Sequence, residues 1–264
     1  MKFRYEFDIK RLPYPVTHRH NLFLIGSCFT ENIGEKLRRH KFRTMENPNG
    51  ILFNPVSVSE AIINYINNKQ YTRENLFHYN EAWHSWQHHS RFSGLTAEEA
   101  LDKTNTSTQQ AHQYLGTASH VLITLGSSWL YTLTEEAPNG IKGNVAANNH
   151  KGPSAWFHKR LMSAEETIAL LDNMLQTAVI FTISPVRHLR EGAIENNRSK
   201  AVLIQAVHAL VEKQEALYYF PAYELVIDDL RDYRFYAEDL AHPNYQATQY
   251  VWEKDQPCAP SYAL

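Results

Sequence analysis

Apolar positions along the chain follow two rhythms. Short runs that are apolar at almost every position occupy 22–25, 121–125, 179–183 and 223–227. Runs of this length, bounded by turn residues, fit strands buried on both faces, as in a parallel sheet covered by helices. Between them the spacing is helical. A helix is predicted over 31–40, and another over 56–67 behind Asn54-Pro55, with Ser57 or Ser59 as cap. A third, over 96–115, opens on Thr96-Ala97-Glu98-Glu99, the pattern of a capping box. Ser163-Ala164-Glu165-Glu166 opens a fourth, running to 176, and 199–216 makes a fifth. Strand and helix in alternation predict a three-layer α/β/α sandwich around a central parallel sheet. The runs at 22–25, 121–125 and 179–183 are expected to be neighbours in it.

Two stretches break the rhythm. Residues 71–93 are crowded with His and Trp, and 139–153 are rich in Gly and Asn. Long irregular segments in compact domains are often functional, so both are expected to wall a cleft. With no internal repeat and no low-complexity linker, 1–254 reads as one domain. Residues 255–264, with Pro257 and Pro260, read as an irregular tail.

Composition narrows the classes. A chain of 264 residues, 43% hydrophobic, can bury one substantial core. Its 26 basic and 28 acidic residues leave a net charge of −2, and without a Lys/Arg run there is no reason to expect a nucleic-acid surface. Fifteen Tyr, twelve Phe and five Trp suggest a heavily packed interior or an aromatic-lined cleft. Cys28 and Cys258 make a poor disulfide framework. Acidic residues stand near the N-terminus where a signal peptide needs an apolar run, and no stretch is apolar enough to span a bilayer. A soluble cytoplasmic protein without a membrane partner is the expectation.

The chemistry concentrates in two segments. Phe23-Leu24-Ile25 breaks at Gly26-Ser27-Cys28-Phe29-Thr30 and runs into a helix, the form of a nucleophile turn. Near the other end stands Asp239-Leu240-Ala241-His242-Pro243, a carboxylate three residues before an imidazole. Nucleophile, base and orienter are the parts of acyl transfer. A thiol at Cys28 would sit at a helix N-terminus, where N–H groups and a paired His242 lower its pKa. Cys28 could also be a small residue packing the turn. Ser27 is the rival nucleophile, or else the cap of the helix. His242, before Pro243, is held out of helical conformation, which suits a loop-borne base.

Other residues are candidates for the same cleft. Gly50, in an Asn-Pro-Asn-Gly turn, could aim its N–H at an oxyanion or simply make the turn. Ser128 could supply a second donor or serve as a cap. His84-Ser85-Trp86-Gln87-His88-His89 spaces histidines four apart, but no further ligand stands at zinc spacing, so no metal is expected. His89 then reads as part of a polar wall. Asn149-His150-Lys151 and Arg187-His188 follow predicted strands, where ligands gather in open α/β sheets, and could hold an anionic group.

The stretch 26–30 resembles the signature of the GSCFA family. So do Asn47 through Pro55, Leu125-Gly126-Ser127-Ser128-Trp129, Asn148-Asn149-His150-Lys151, Ser184-Pro185-Val186-Arg187-His188, and Phe220-Pro221-Ala222-Tyr223-Glu224 through His242-Pro243. The fifth signature position is Thr30 rather than Ala. The resemblance implies kinship with SGNH (GDSL-like) hydrolases and a flavodoxin-like sandwich. It implies Cys28 at the nucleophile position, Ser27 at the preceding acidic position, and the Asp-x-x-His block on Asp239 and His242. Gly50 matches the oxyanion glycine, and Gly126-Ser127-Ser128-Trp129 matches a block whose asparagine is absent here. It also implies that relatives continue past 255–264.

The expected function is a hydrolase or acyltransferase for an ester or thioester, such as an acylated glycan or small molecule, with no cofactor. Cys28 (or Ser27) attacks, His242 is base then acid, Asp239 orients it, and Gly50 with the Cys28 N–H holds the oxyanion. The rival is a ligand-binding module that keeps the cleft without the chemistry.

Overall fold

The computed structural model describes residues 4–13, 15–174 and 178–254. In chain order the elements are β1 (Asn21–Gly26), α1 (Cys28–Arg39), β2 (Arg43–Glu46), α2 (Pro55–Ile66), β3 (Leu76–Tyr79), β4 (Ala82–Ser85) and α3 (Ala97–Leu115). There follow β5 (His120–Leu125), β6 (Trp129–Leu133), β7 (Phe157–Leu161), α4 (Ala164–Met174), β8 (Val179–Ile183), α5 (Ala193–Lys213), β9 (Leu217–Phe220), α6 (Ala222–Glu224) and α7 (Tyr245–Lys254).

Five strands form a parallel sheet in the order β2-β1-β5-β8-β9. Alternate residues feed its two faces. Leu22 and Leu24 of β1 join Leu122, Ile180 and Phe220 under α1 and α7. Phe23 and Ile25 join Ile123, Phe181 and Leu217 under α2, α3, α4 and α5. Burial on both faces is why these strands read as continuous apolar runs. The three-layer α/β/α expectation holds, and 22–25, 121–125 and 179–183 are adjacent strands as expected.

The fourth run was misread. Residues 223–227 are not a strand: α6 passes directly into a π-helical turn, Leu225–Leu230, whose Leu225 and Val226 are buried against the α1 face. The edge strand is β9, just before Pro221. A short apolar run buried inside a helical turn looks the same in sequence as a buried strand. The helix expected over 199–216 begins earlier, at Ala193, and ends at Lys213. The cap of α2 is Asn54, whose Oδ1 accepts the Ser57 N–H at 2.8 Å, with Pro55 as first helical residue. Residues 255–264, expected as a tail, lie outside the described residues.

The two irregular stretches build an annex. Within 71–93, β3 and β4 pair across an Asn80-Glu81 turn with both residues at positive φ, the geometry of a tight hairpin. A second hairpin, β6 with β7, encloses 139–153. Phe77 and Trp86 stack at 3.8 Å and pack with Leu133, Ala137 and Ala146 into a core separate from the sheet.

Candidate active site

The first three strands of the sheet in sequence are β1, β2 and β5, and β2 and β5 flank β1 on opposite sides. The chain direction across the sheet therefore switches at β1/β5, and in open α/β sheets ligands bind outside the carboxyl ends of the strands at this point. Gly26 ends β1 there. Its φ is +140°, and a Cβ would lie 2.1 Å from the Thr124 carbonyl oxygen, so only glycine fits.

Ser27 and Cys28 then part company. Ser27 is wholly buried, its N–H bonds the Thr124 carbonyl at 3.0 Å, and its Oγ caps α1 by accepting the Phe29 N–H at 3.3 Å. Cys28, the first residue of α1, is only half-buried, with a free thiol. Its pKa is raised, chiefly by burial and also by Glu31, although its own N–H, the Phe29 N–H and Lys200 pull the other way. The expectation of a ready-made thiolate is thus corrected: desolvation outweighs the helix terminus.

Asp239 and His242 are joined as the spacing suggested. Asp239 Oδ2 lies 2.6 Å from His242 Nδ1, and its Oδ1 accepts the N–H groups of Ala241 and His242 at 3.0 Å each. Those N–H groups and the ring hold its carboxyl down at about 2. An ionised carboxylate can only accept, so Nδ1 carries the proton and Nε2 keeps its lone pair in the neutral ring. Both side chains are 51% exposed. Their loop is tied to the end of β8 by the Arg187 N–H, which donates to the Ala241 carbonyl at 3.0 Å. Cys28 follows β1 and this loop is tied to the chain that follows β8, two strands along, so both lie on the carboxyl side of the sheet.

Sequence reading missed Lys200. It is 1% exposed, and its Nζ donates to the Gly126 carbonyl at 2.6 Å and the Ser184 carbonyl at 2.7 Å, at the carboxyl ends of β5 and β8. Burial pulls its pKa down to about 7, while the nearby Cys28 acts to raise it. A signal was present. Lys200 falls on the buried stripe of α5 with Asn196, Leu203 and Val207, where a lysine has no ordinary place.

Two expected oxyanion donors are committed elsewhere. The Gly50 N–H donates to the Asn47 carbonyl at 2.7 Å, closing its own turn. Ser128 is wholly buried, with its N–H on Ser199 Oγ at 2.7 Å and its Oγ donating to the Ser199 carbonyl at 3.0 Å. Asn54, which sequence reading passed over, lines the cleft, and its side-chain oxygen is spent on the α2 cap. That leaves the amide Nδ2 as a donor.

The cleft has two adjoining lobes of about 400 and 420 Å³ that share Tyr131, Asn148, Asn149 and Arg190. Of the expected binding residues, Asn149, Arg187 and His188 line the first lobe, and Asn149, His150 and Lys151 the second. The His150 Nε2 is nonetheless occupied by the Ser85 carbonyl at 2.8 Å. His89 lines neither lobe; it packs against Gly50 and accepts the Arg91 N–H. His84 is on a strand, so the four-residue histidine spacing marks no helix face. Among the described residues no three His, Cys, Asp or Glu side chains group to hold a metal ion, and no helix is long and apolar enough to cross a membrane.

The model of one family matches residues 21–254, from β1 to the end of α7. The chain belongs to the GSCFA family. That span holds Cys28, Lys200, Asp239 and His242 alike, so the whole rim is part of what this GSCFA domain comprises. A comparison with curated proteins finds no match.

Proposed function

We propose that this GSCFA protein is a thiol-dependent acyl hydrolase or acyltransferase acting on an ester or thioester, with an SGNH-like arrangement of groups. The observation that carries the reading is the division of labour at the turn: Ser27 is buried in the cap, and Cys28 stands half-exposed at the switch point.

The raised thiol pKa means the proton must leave as the carbon–sulfur bond forms. In the proposed step, His242 Nε2 takes the proton from Cys28 Sγ while the sulfur attacks the acyl carbonyl. The imidazolium, held by Asp239, returns that proton to the leaving oxygen or sulfur, giving an S-acyl Cys28 and a free alcohol or thiol. Water or an acceptor alcohol then attacks the S-acyl group, and its proton passes through His242 back to the cysteine sulfur. The oxyanion is met by the Cys28 N–H and Asn54 Nδ2, in place of Gly50 and Ser128. Lys200, when protonated, supplies positive charge beside the attacking sulfur.

A second reading, a binding module without chemistry, draws support from the raised Cys28 pKa and the committed donors at Gly50 and Ser128. Turnover of acetyl esters and thioesters separates the two. Cys28→Ala and His242→Ala are expected to lose about 10²-fold or more in rate. Full activity of His242→Ala on a confirmed substrate would leave the binding module as the better account.

A further inference from the structure

Half-exposed side chains are not oriented by burial, yet Asp239 and His242 meet at 2.6 Å. The loop that carries them supplies the order. Leu240, between the two, stands at φ +56°, a left-handed conformation that leucine rarely adopts. Its side chain is exposed, so core packing does not force that conformation. Backbone bonds do. The Leu240 N–H donates to the Ala237 carbonyl at 2.9 Å, and the Ala237 N–H donates to the His242 carbonyl at 2.7 Å.

The carbonyls of Leu240 and Ala241 both go to Arg187. Its backbone N–H donates to Ala241 at 3.0 Å, and its guanidinium Nη1 donates to Leu240 in a longer bond of 3.4 Å. The guanidinium also lies 4.0 Å from the Tyr236 ring centroid and 5.0 Å from that of Tyr233. Planar guanidinium groups stack on such rings. Tyr236 belongs to the same loop, since it bridges antiparallel to Pro243. One side chain thus grips the loop at a carbonyl and at two rings.

The base of this grip is fixed in turn. Val186 is buried in the core under α1, and the His188 N–H donates to Asn196 Oδ1 at 2.9 Å, on the buried stripe of α5.

We propose that Arg187 is a positioning residue: it clamps the Asp239–His242 loop to the chain after β8 and keeps the imidazole in one orientation, instead of binding substrate charge. The clamp itself needs no chemistry. That an ordered imidazole speeds a reaction rests on the acyl-transfer reading. The two roles for this arginine part on a neutral substrate. On p-nitrophenyl acetate an anion-binding arginine has nothing to hold, so its loss would leave kcat and KM alone. Loss of a clamp misplaces the base and lowers kcat.

Arg187→Met, in the full chain, keeps the stem and the backbone N–H and removes the guanidinium. Hydrogen exchange at the Ala241 and His242 amides should quicken about tenfold or more. Near pH ~9, where an ordinary imidazole is neutral, nitrogen NMR of the His242 ring should shift from the Nδ1–H tautomer toward a mixture. On p-nitrophenyl acetate kcat should fall about tenfold or more with KM little changed. Arg187→Lys keeps a cation able to reach the Leu240 carbonyl and should recover part of each signal. Exchange and tautomer unchanged in Arg187→Met overturn the proposal, even if Cys28 proves a nucleophile. If that variant does not fold, the same result in Arg187→Lys overturns it. So does a kcat that Arg187→Met leaves intact on an ester the native protein turns over. Faster exchange and a mixed tautomer, in a protein whose native form turns over no ester, would uphold the clamp and sink the acyl-transfer reading instead.

Discussion

The sheet rim and the annex solve the same problem, holding polar groups near a cleft, by different means. At the rim, backbone and one buried lysine do the holding: Gly26 lies against Thr124, and Lys200 joins the ends of β5 and β8. In the annex, rings do much of it: Phe77, Trp86 and Trp156 make a small core, and Lys159 of β7 lies over the Trp129 ring. Positions fixed by a packed parallel sheet leave little room for adjustment, which suits bond making. Positions fixed by stacked rings on hairpins suit recognition of a ligand.

Two glycines at positive φ put that difference to the test most severely. Gly26→Ala places a methyl 2.1 Å from a main-chain oxygen in the middle of the sheet, so a loss of at least ~3 kcal/mol, or failure to fold, is expected. Gly143→Ala, in the annex at φ +90°, meets nothing within 4 Å and should cost only the left-handed conformation, about 1–2 kcal/mol. Urea denaturation of both compares them; equal losses would erase the distinction.

Removing the ring at the centre of the annex separates the regions functionally. Trp86→Ala should destabilise the annex by about 3 kcal/mol, as large core truncations do, while leaving the alkylation rate of Cys28 unchanged. A changed alkylation rate would show that the rim depends on the annex.

The regions should also answer pH in different windows, with the same sign in each. In the annex, burial pulls His88 down to about 3 and His150 to about 4, from an ordinary 6.5. The unfolded chain then binds more protons below pH 6.5, so stability falls as pH drops from 6.5 toward 4 and 3. At the rim, Lys200 is lowered to about 7 from 10.5, so the unfolded chain binds the extra proton between these values and stability rises with pH across that window. Each group contributes at most roughly 1.4 kcal/mol per pH unit. Unfolding midpoints from pH 4 to 10 check both slopes, the alkaline one disappearing in Lys200→Met. A slope that survives in Lys200→Met would remove the buried lysine from the account.

The smallest expected effect belongs to Ser27→Ala, about 1 kcal/mol of lost capping with turnover retained. Abolished turnover would make Ser27 the attacking residue.

What sequence disclosed divides along the same line. Strands buried on both faces have a local apolar signature, so β1, β5 and β8 were legible. Residues 223–227 carried that signature for another reason, packing a π-helical turn. The Asp239–His242 pair and the Cys28 turn are local motifs and could be read directly. The commitments of Gly50 and Ser128 depend on partners in the fold, Asn47 at close range and Ser199 across it, and spacing alone did not reveal them. Lys200 left a trace, a charge on an apolar helical stripe, but its meaning needs Gly126 and Ser184 brought together. The annex was foreseen only as irregular chain, because its order comes from ring contacts between distant residues.

The central claim is that Cys28 attacks an acyl carbon. Brief exposure of the intact protein to p-nitrophenyl acetate, followed by acid quench and peptide mass spectrometry, reads it directly. The account expects an acetyl group on Cys28, formed much more slowly in His242→Ala. Acetyl on Ser27, or equal labelling of Cys28 with and without His242, would contradict it.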